Sequence, residues 1–240
     1  MPVRLLLVRH GRVDFGATEF LDTPRGRQWD PPLDDKGRDQ ADKLAARLAA
    51  TARPDAVFVS PFRRALQTLE PFTALTGIRG EAVDDFGEVF VGEWEGVPFE
   101  DLIAEHGDLV RERVDAGAAL HTLAPGAESG DELRARVVPA VESRLPRTEK
   151  DATVLIVTHG GVINAYLGHL MGLPQDMFFL PDNSSINRVD VDGDAHGIRF
   201  LNDVAHLWYP TLWSGGTVES DRPAGPGSPD EGSDLEEDRP

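Results

Sequence analysis

The sequence predicts an α/β protein, a three-layer α/β/α sandwich around a mainly parallel sheet, and three observations carry that prediction. Apolar runs of strand length alternate along the chain with segments of helical period. The strand candidates "VRLLLV", "DAVFVS" and "TVLIVT" lack polar alternation, the pattern of strands covered on both faces. Two of them run into a histidine followed by glycine, "LVRHG" and "IVTHGG", at the carboxyl ends where open α/β sheets hold ligands.

The first strand, "VRLLLV", leads into a long loop containing "WDPPL". In "GRDQADKLAARLAA", Ala41, Leu44, Ala45 and Leu48 fall on one helical face. "DAVFVS" is the second strand, and "PFRRALQTLEPFTALTG" reads as a helix opened by Pro61 and closed by Gly77. A loop-rich region with "FGEVFVGEWEG" follows, then a helix from Asp131 to Leu145 in which Pro139 predicts a kink. "TVLIVT" is the third strand, followed by a helix from Val162 to Met171. The run "SINRVDVDGDAHGIRFLND" predicts a hairpin around Asp192 and Gly193.

At 240 residues the chain suits one domain, assigned to residues 1–213. Residues 214–240 are acidic and rich in Gly, Pro and Ser, with too little apolar surface to offset ordering entropy, and read as a disordered tail. Trp208, Tyr209, Leu212 and Trp213 form an apolar cluster before it, suited to covering the core or a partner and assigned to the core. Oligomeric state is left open, a homodimer included.

Composition excludes several classes of function. With no cysteine, disulfides, thiolate catalysis and cysteine-ligated zinc are ruled out. A net charge of -18 argues against nucleic-acid and anionic-membrane partners, which need a positive surface. No apolar stretch is long enough to cross a bilayer, and the apolar run between Arg4 and Arg9 is too short for a signal peptide, so the expectation is a cytoplasmic protein. Against so negative a field, an anionic substrate needs a local cationic cluster.

The chain offers such a cluster. Arg9 adjoins His10 at one strand end, and Thr158 and His159 precede Gly160 and Gly161 at another, where glycine admits close backbone approach. In "SPFRRALQT", Arg63 and Arg64 occupy a helix's first turn, an unfavourable place for cations unless an anion binds there. One of the two is expected to face the ligand and the other solvent or an acid. Glu88, Glu93 and Glu95 lie together in "GEVFVGEWEG", and residue type alone does not choose a general acid among them. His106, His121, His169, His196 and His206 have no comparable neighbours and read as ordinary histidines.

The blocks "LVRHG", "PLDDKGRDQADKLAARL", "SPFRRALQT", "EVFVGEWEG", "PGAESGDELRARV" and "VTHGGVINAYLGHLMGLP" occur in the order and spacing of the histidine phosphatase superfamily, which the chain resembles over roughly residues 3 to 206. The resemblance implies a phosphoglycerate mutase-like fold. It implies His10 as the nucleophile that becomes phosphorylated, Arg9, Arg64, His159 and Gly160 around the phosphoryl group, and Glu88 as proton donor, with His159 an additional cation if protonated. No metal and no cofactor enter that scheme, and the implied partner is a small phosphorylated metabolite.

The chain departs from the family pattern at Arg12 and Val13, where Glu-Thr or Glu-Ser is usual, and at Gly16, where asparagine is often found. A phosphoglycerate mutase is the alternative enzyme. It is disfavoured because the interval after "WEG" is short and its Arg111 and Arg113 are interspersed with acids. A non-catalytic phospholigand-binding or scaffold protein is the alternative from another class, disfavoured because the implied site residues are all present.

Overall fold

A computed structural model describes residues 2–115, 123–146, 151–209 and 212–213. The first strand, β1 (Val3–Arg9), is the hub of a six-stranded sheet of order β5-β4-β6-β1-β7-β8. It pairs in parallel with β6 (Thr153–Thr158) on one side and antiparallel with β7 (Ile186–Asp192) on the other. Beyond β6, the strands β4 (Ala56–Val59) and β5 (Glu81–Ala82) continue the parallel half, and β8 (Ala195–Asp203) closes the antiparallel edge.

The lack of polar alternation in β1 and β6 follows from helices on both sheet faces. Leu5, Leu7, Val154 and Ile156 enter one core with Leu133, Val137 and Tyr166 of α4 (Gly130–Glu142) and α5 (Gly160–Met171). The intervening Leu6, Val8, Leu155 and Val157 enter the other, with Leu44, Leu48, Leu69 and Phe72 of α1 (Asp35–Thr51) and α2 (Arg63–Thr76). Successive strand residues therefore serve opposite layers, which is the three-layer sandwich.

The helix predictions hold with shifted ends. Ala41, Leu44, Ala45 and Leu48 are all buried on α1, and Gly77 ends α2 in the left-handed region at φ 75°. Helix α2 begins at Arg63 rather than Pro61, because Phe62 is still extended at its N-cap. Helix α4 runs on through Pro139, and α5 starts two residues earlier than expected, with His159 as its N-cap. The β7–β8 hairpin turns at Gly193, φ 62°.

Two expectations are corrected. The long loop before "WDPPL" contains a two-stranded ribbon, β2 (Phe20–Thr23) and β3 (Gly26–Trp29), which its polar residues did not announce. The C-terminal aromatic cluster does not cover the core: Trp208 is 74% exposed, Tyr209 53% and Leu212 52%. Polar anchors hold this segment instead. Arg47 of α1 forms a bidentate pair with Asp203, contacts the fully buried His206 of α6 (Ala205–Trp208), and lies over the Trp213 ring. The proposed tail, 214–240, lies outside the described residues, as does His121.

The remaining long element, α3 (Phe99–Asp115), carries Arg111 on an exposed face beside Asp108, 3.9 Å away. Among the described residues, no helix is long and apolar enough to cross a membrane.

The loop that leaves β1 rests on the N-terminus of α1. Asp34 caps that helix through Gly37 N–H at 2.7 Å and pairs with Arg12 at 2.6 Å. Gly37 has no room for a side chain, because a Cβ there would overlap the Arg12 carbonyl group. Gly37→Ala is therefore expected to destabilise the fold by about 2 kcal/mol or more, since backbone rather than a flexible side chain must yield. Urea unfolding measures this, and a loss under about 0.5 kcal/mol would mean that the loop shifts freely.

Candidate active site

Parallel pairing of β1 with β6 sets Arg9 opposite Thr158, so the residues that follow each strand emerge side by side. His10 and His159 rings lie 5.1 Å apart between centroids, tilted by 59°, and both side chains are buried. Helix α2, entered from the end of β4, brings Arg64 into the same corner, with its Nε–H donating to His159 Nδ1 at 3.3 Å. Arg63 turns outward and pairs with Glu19 at 3.2 Å, so the two arginines divide as expected between pocket and acid.

The backbone of the corner is tied down from several directions. His10 N–H donates to Thr158 O at 2.9 Å, Ser184 N–H reaches both Arg9 O and His10 O at 3.1 Å, and Asn183 Nδ2 donates to His10 O at 3.1 Å. Ser184 adopts φ 61°, an uncommon conformation for a side-chain-bearing residue, which turns its N–H onto the corner. Gly11 N–H donates to Thr68 Oγ1 at 2.9 Å, and Thr68 in turn donates to Arg64 O at 2.7 Å, linking the loop to α2.

The state of His10 follows from its contacts. Nδ1 lies 2.7 Å from Gly11 O, an acceptor only, so the ring proton resides on Nδ1 and Nε2 keeps its lone pair. Burial, then Arg64 and Arg9, hold the His10 pKa well below the ordinary 6.5. The ring is a neutral imidazole with one nitrogen free to attack.

Burial first, then the charges of Arg64 and Arg9, likewise hold the His159 pKa well below the ordinary 6.5. Its Nδ1 accepts from Arg64, which leaves Nε2–H to donate to Ser60 Oγ at 2.6 Å. The additional cation considered from the sequence is thus not present in this arrangement, because a proton on Nδ1 would face a guanidinium N–H.

The positive charge resides on the arginines, although burial lowers the pKa of both. Arg64 donates to Trp29 O at 3.0 Å, lies 3.7 Å from Asp30, and stacks over the Phe62 ring at 4.5 Å. Arg9 donates through Nη1 to Pro181 O, while its buried Nε–H has no partner among the described residues. A buried, unpartnered guanidinium donor costs free energy unless a ligand oxygen completes it.

Of the three glutamates, Glu88 is the one whose charge acts on both Arg9 and Arg64. Its Oε1 accepts from Val89 N–H at 2.9 Å and from Gly161 N–H, at the start of α5, at 3.1 Å. Glu93 is exposed. Glu95 acts more weakly on Arg64, and its carboxylate is taken up in tying Trp29 N–H to Val91 N–H at 2.8 and 3.0 Å. A Cβ at Gly160 would stand 3.8 Å from Arg9 Nε, so the position expected to admit phosphate borders the unpartnered donor.

Reading the sequence missed Ser60, Asp30, Thr68, Asn183 and Ser184, which orient the cluster rather than belong to it. Ser60 directly follows a buried strand and was the most visible of them. Asp30 and Asn183 reach the site from loops remote in sequence and carried no local signal. At the departures from the family pattern, Arg12 pairs with Asp34 and Val13 bridges to Leu33, so both serve the loop's attachment to α1.

Buried histidines that are neutral when folded gain protons on unfolding, so the unfolded state binds more protons below the ordinary histidine pKa. His206 adds to this, with its pKa pushed down to about 4 by burial. Stability is therefore expected to fall as pH drops below about 6.5, by up to about 1.4 kcal/mol per pH unit for each such histidine. Urea unfolding at a series of pH values checks it, and a flat profile between about pH 6.5 and 5 would contradict neutral buried rings.

Known proteins resemble this chain over most of its length. The family model of the histidine phosphatase superfamily (branch 1) matches residues 5–204. A glucosyl-3-phosphoglycerate phosphatase of Mycolicibacterium vanbaalenii is 31% identical over 180 residues, which span 72% of this chain and 76% of the relative. A metal-independent phosphoserine phosphatase of Arabidopsis thaliana is 28% identical over 205 residues, 85% of this chain and 82% of that one. The solved structure of Bacillus stearothermophilus YhfR superimposes with a TM-score of 0.71 at 27% identity, covering 85% of this chain and 99% of the other. The matched span contains both strand-end histidines, both pocket arginines and Glu88, and the chain belongs to the histidine phosphatase superfamily, branch 1.

Proposed function

We propose that the chain is a phosphomonoesterase that hydrolyses small phosphorylated metabolites through a phosphohistidine at His10. The observation that carries this reading is His10 itself, a neutral imidazole with its Nδ1 proton held by Gly11 O, set between two arginines and a second histidine. The relatives named glucosyl-3-phosphoglycerate phosphatase and phosphoserine phosphatase support a small metabolite as the substrate class.

In the first step His10 Nε2 attacks phosphorus, an N–P bond forms, and the P–O bond to the alcohol breaks. A proton from the Glu88 carboxyl goes to the departing alkoxide, which leaves as the alcohol. In the second step water attacks the same phosphorus, its proton passes to Glu88, the P–N bond breaks, and inorganic phosphate leaves. Oε1 of Glu88 is already engaged by two backbone N–H groups, so Oε2 is the oxygen that carries the proton.

Arg9, Arg64 and the helix terminus at Gly160 neutralise the phosphoryl oxygens, and the unpartnered Arg9 Nε–H gains its acceptor when substrate binds. Transition-state charge in phosphoryl transfer is spread over the equatorial oxygens, so prepositioned donors account for most of the rate. His159, neutral and fixed by Ser60 and Arg64, orients Arg64 and walls the pocket beside the nucleophile.

The mutase alternative draws no support from the described part of the interval after "WEG". There Arg111 is solvent-facing and paired with an acid rather than gathered at the site.

His10→Ala is expected to abolish hydrolysis of p-nitrophenyl phosphate assayed in EDTA, with the fold retained. Undiminished turnover in that variant would exclude His10 as nucleophile. Glu88→Gln is expected to lower kcat/KM, which reports the steps up to departure of the alcohol, by roughly 10²-fold or more for alkyl phosphates while sparing that of p-nitrophenyl phosphate, whose leaving group needs no proton. Steady-state kcat/KM values on both substrates measure it, and equal loss of kcat/KM would count against Glu88 as the acid.

A further inference from the structure

The segment that carries Glu88 has no regular secondary structure between Gly87 and Val91. Its position is therefore not set by a helix or sheet ladder, and its backbone groups need partners from elsewhere. The carbonyls of Gly87 and Glu88 find theirs in one side chain. Arg136, on the buried side of α4, donates Nη1 to Asp85 O at 2.6 Å and Gly87 O at 2.9 Å, and Nη2 to Glu88 O at 3.2 Å. The other two donors go to Glu128, Nε to Oε1 at 2.6 Å and Nη2 to Oε2 at 2.8 Å.

A guanidinium has five N–H donors in a rigid fork, and all are used here. Glu128 extends the clamp, because its Oε2 also accepts from Phe90 N–H at 3.2 Å and its own N–H donates to Phe90 O at 2.8 Å. Gln28 adds a third hold, with Nε2 at 3.2 Å from Glu88 O and 3.4 Å from Val89 O. The Arg136 and Glu128 side chains are only 12% and 8% exposed, so the pair works away from water.

We propose that Arg136, fixed by Glu128, is a positioning residue for the proton donor: its fork holds the Gly87–Glu88 backbone so that the carboxyl meets the leaving oxygen. The inference rests on the reading of Glu88 as the general acid. Arg136 hydrogen-bonds neither Arg9 nor Arg64, so loss of its fork acts on the step in which a proton is delivered. Proton delivery requires placement within hydrogen-bond reach, and a displacement of about 1 Å can cost on the order of 10²-fold in rate.

The test uses Arg136→Lys, which keeps the charge and removes the fork, and Glu128→Gln, which keeps the shape and removes the anion, each alone and with Glu88→Gln. Rates are measured with phosphoserine, an alkyl phosphate, and with p-nitrophenyl phosphate, and folding is checked by circular dichroism and thermal unfolding. At least one of the two single variants is expected to fold, and to lose roughly 10-fold or more in kcat/KM on the alkyl phosphate but less than about 2-fold in kcat/KM on the nitrophenyl ester. Combined with Glu88→Gln, it should slow the alkyl phosphate no further, because the acid it positions is already absent.

Equal loss on both substrates, or losses that multiply with Glu88→Gln, would overturn the inference and leave Arg136 a structural residue. Neither variant folding would likewise assign the pair to stability. Failure of the underlying reading has a different signature: Glu88→Gln alone would then lower kcat/KM equally on both substrates.

Discussion

The structure depends on burying several potentially cationic side chains in one corner of a strongly acidic protein. Arg9, His10, Arg64 and His159 converge there because β1 and β6 run in parallel register and α2 begins at the end of the adjoining strand. Four positive charges so close together would repel one another and lose their hydration. The corner is stable because both imidazoles are held neutral and Glu88 and Asp30 lie near the guanidiniums. The two guanidiniums supply the donors for a phosphate dianion, the unpartnered Arg9 Nε–H among them.

That arrangement also explains how a chain with a net charge of -18 binds phosphate esters. Long-range attraction is absent, so affinity must come from short-range donors in a site shielded from solvent. In the proposed mechanism the neutrality of His10 serves chemistry and packing together, since the same burial and the same arginines that keep the ring unprotonated leave Nε2 its lone pair. Acid conditions that protonate the ring therefore act on stability and on the proposed nucleophile together.

The sheet and its flanking helices were legible in the sequence because hydrophobic runs and helical periodicity are local signals. The paired strand-end histidines, with Arg9 beside one of them, marked where chemistry gathers through adjacency along the chain alone. The β2–β3 ribbon was not legible, because its residues alternate no apolar pattern and its outside partners, Glu88 O and Glu95, lie far along the chain. Residues that orient the site were equally hidden, since Asp30, Ser184 and Arg136 act through backbone groups distant in sequence. The C-terminal aromatics misled for a physical reason: Arg47, Asp203 and His206 anchor that segment by polar contacts, and Trp208 is left outside. Glu88 was separable from Glu93 and Glu95 only through the family resemblance, and the site's geometry sets them apart by their partners.

The central claim is that phosphorus is transferred to His10 before water takes it. Rapid acid-free quenching of the enzyme during turnover of a phosphomonoester, followed by proteolysis and mass spectrometry, tests it directly. The expected result is a phosphoryl group on the peptide containing His10, labile to acid and stable to base, appearing and decaying at rates compatible with turnover. A phosphoryl group found on another residue, or hydrolysis proceeding with His10 never modified, would contradict it.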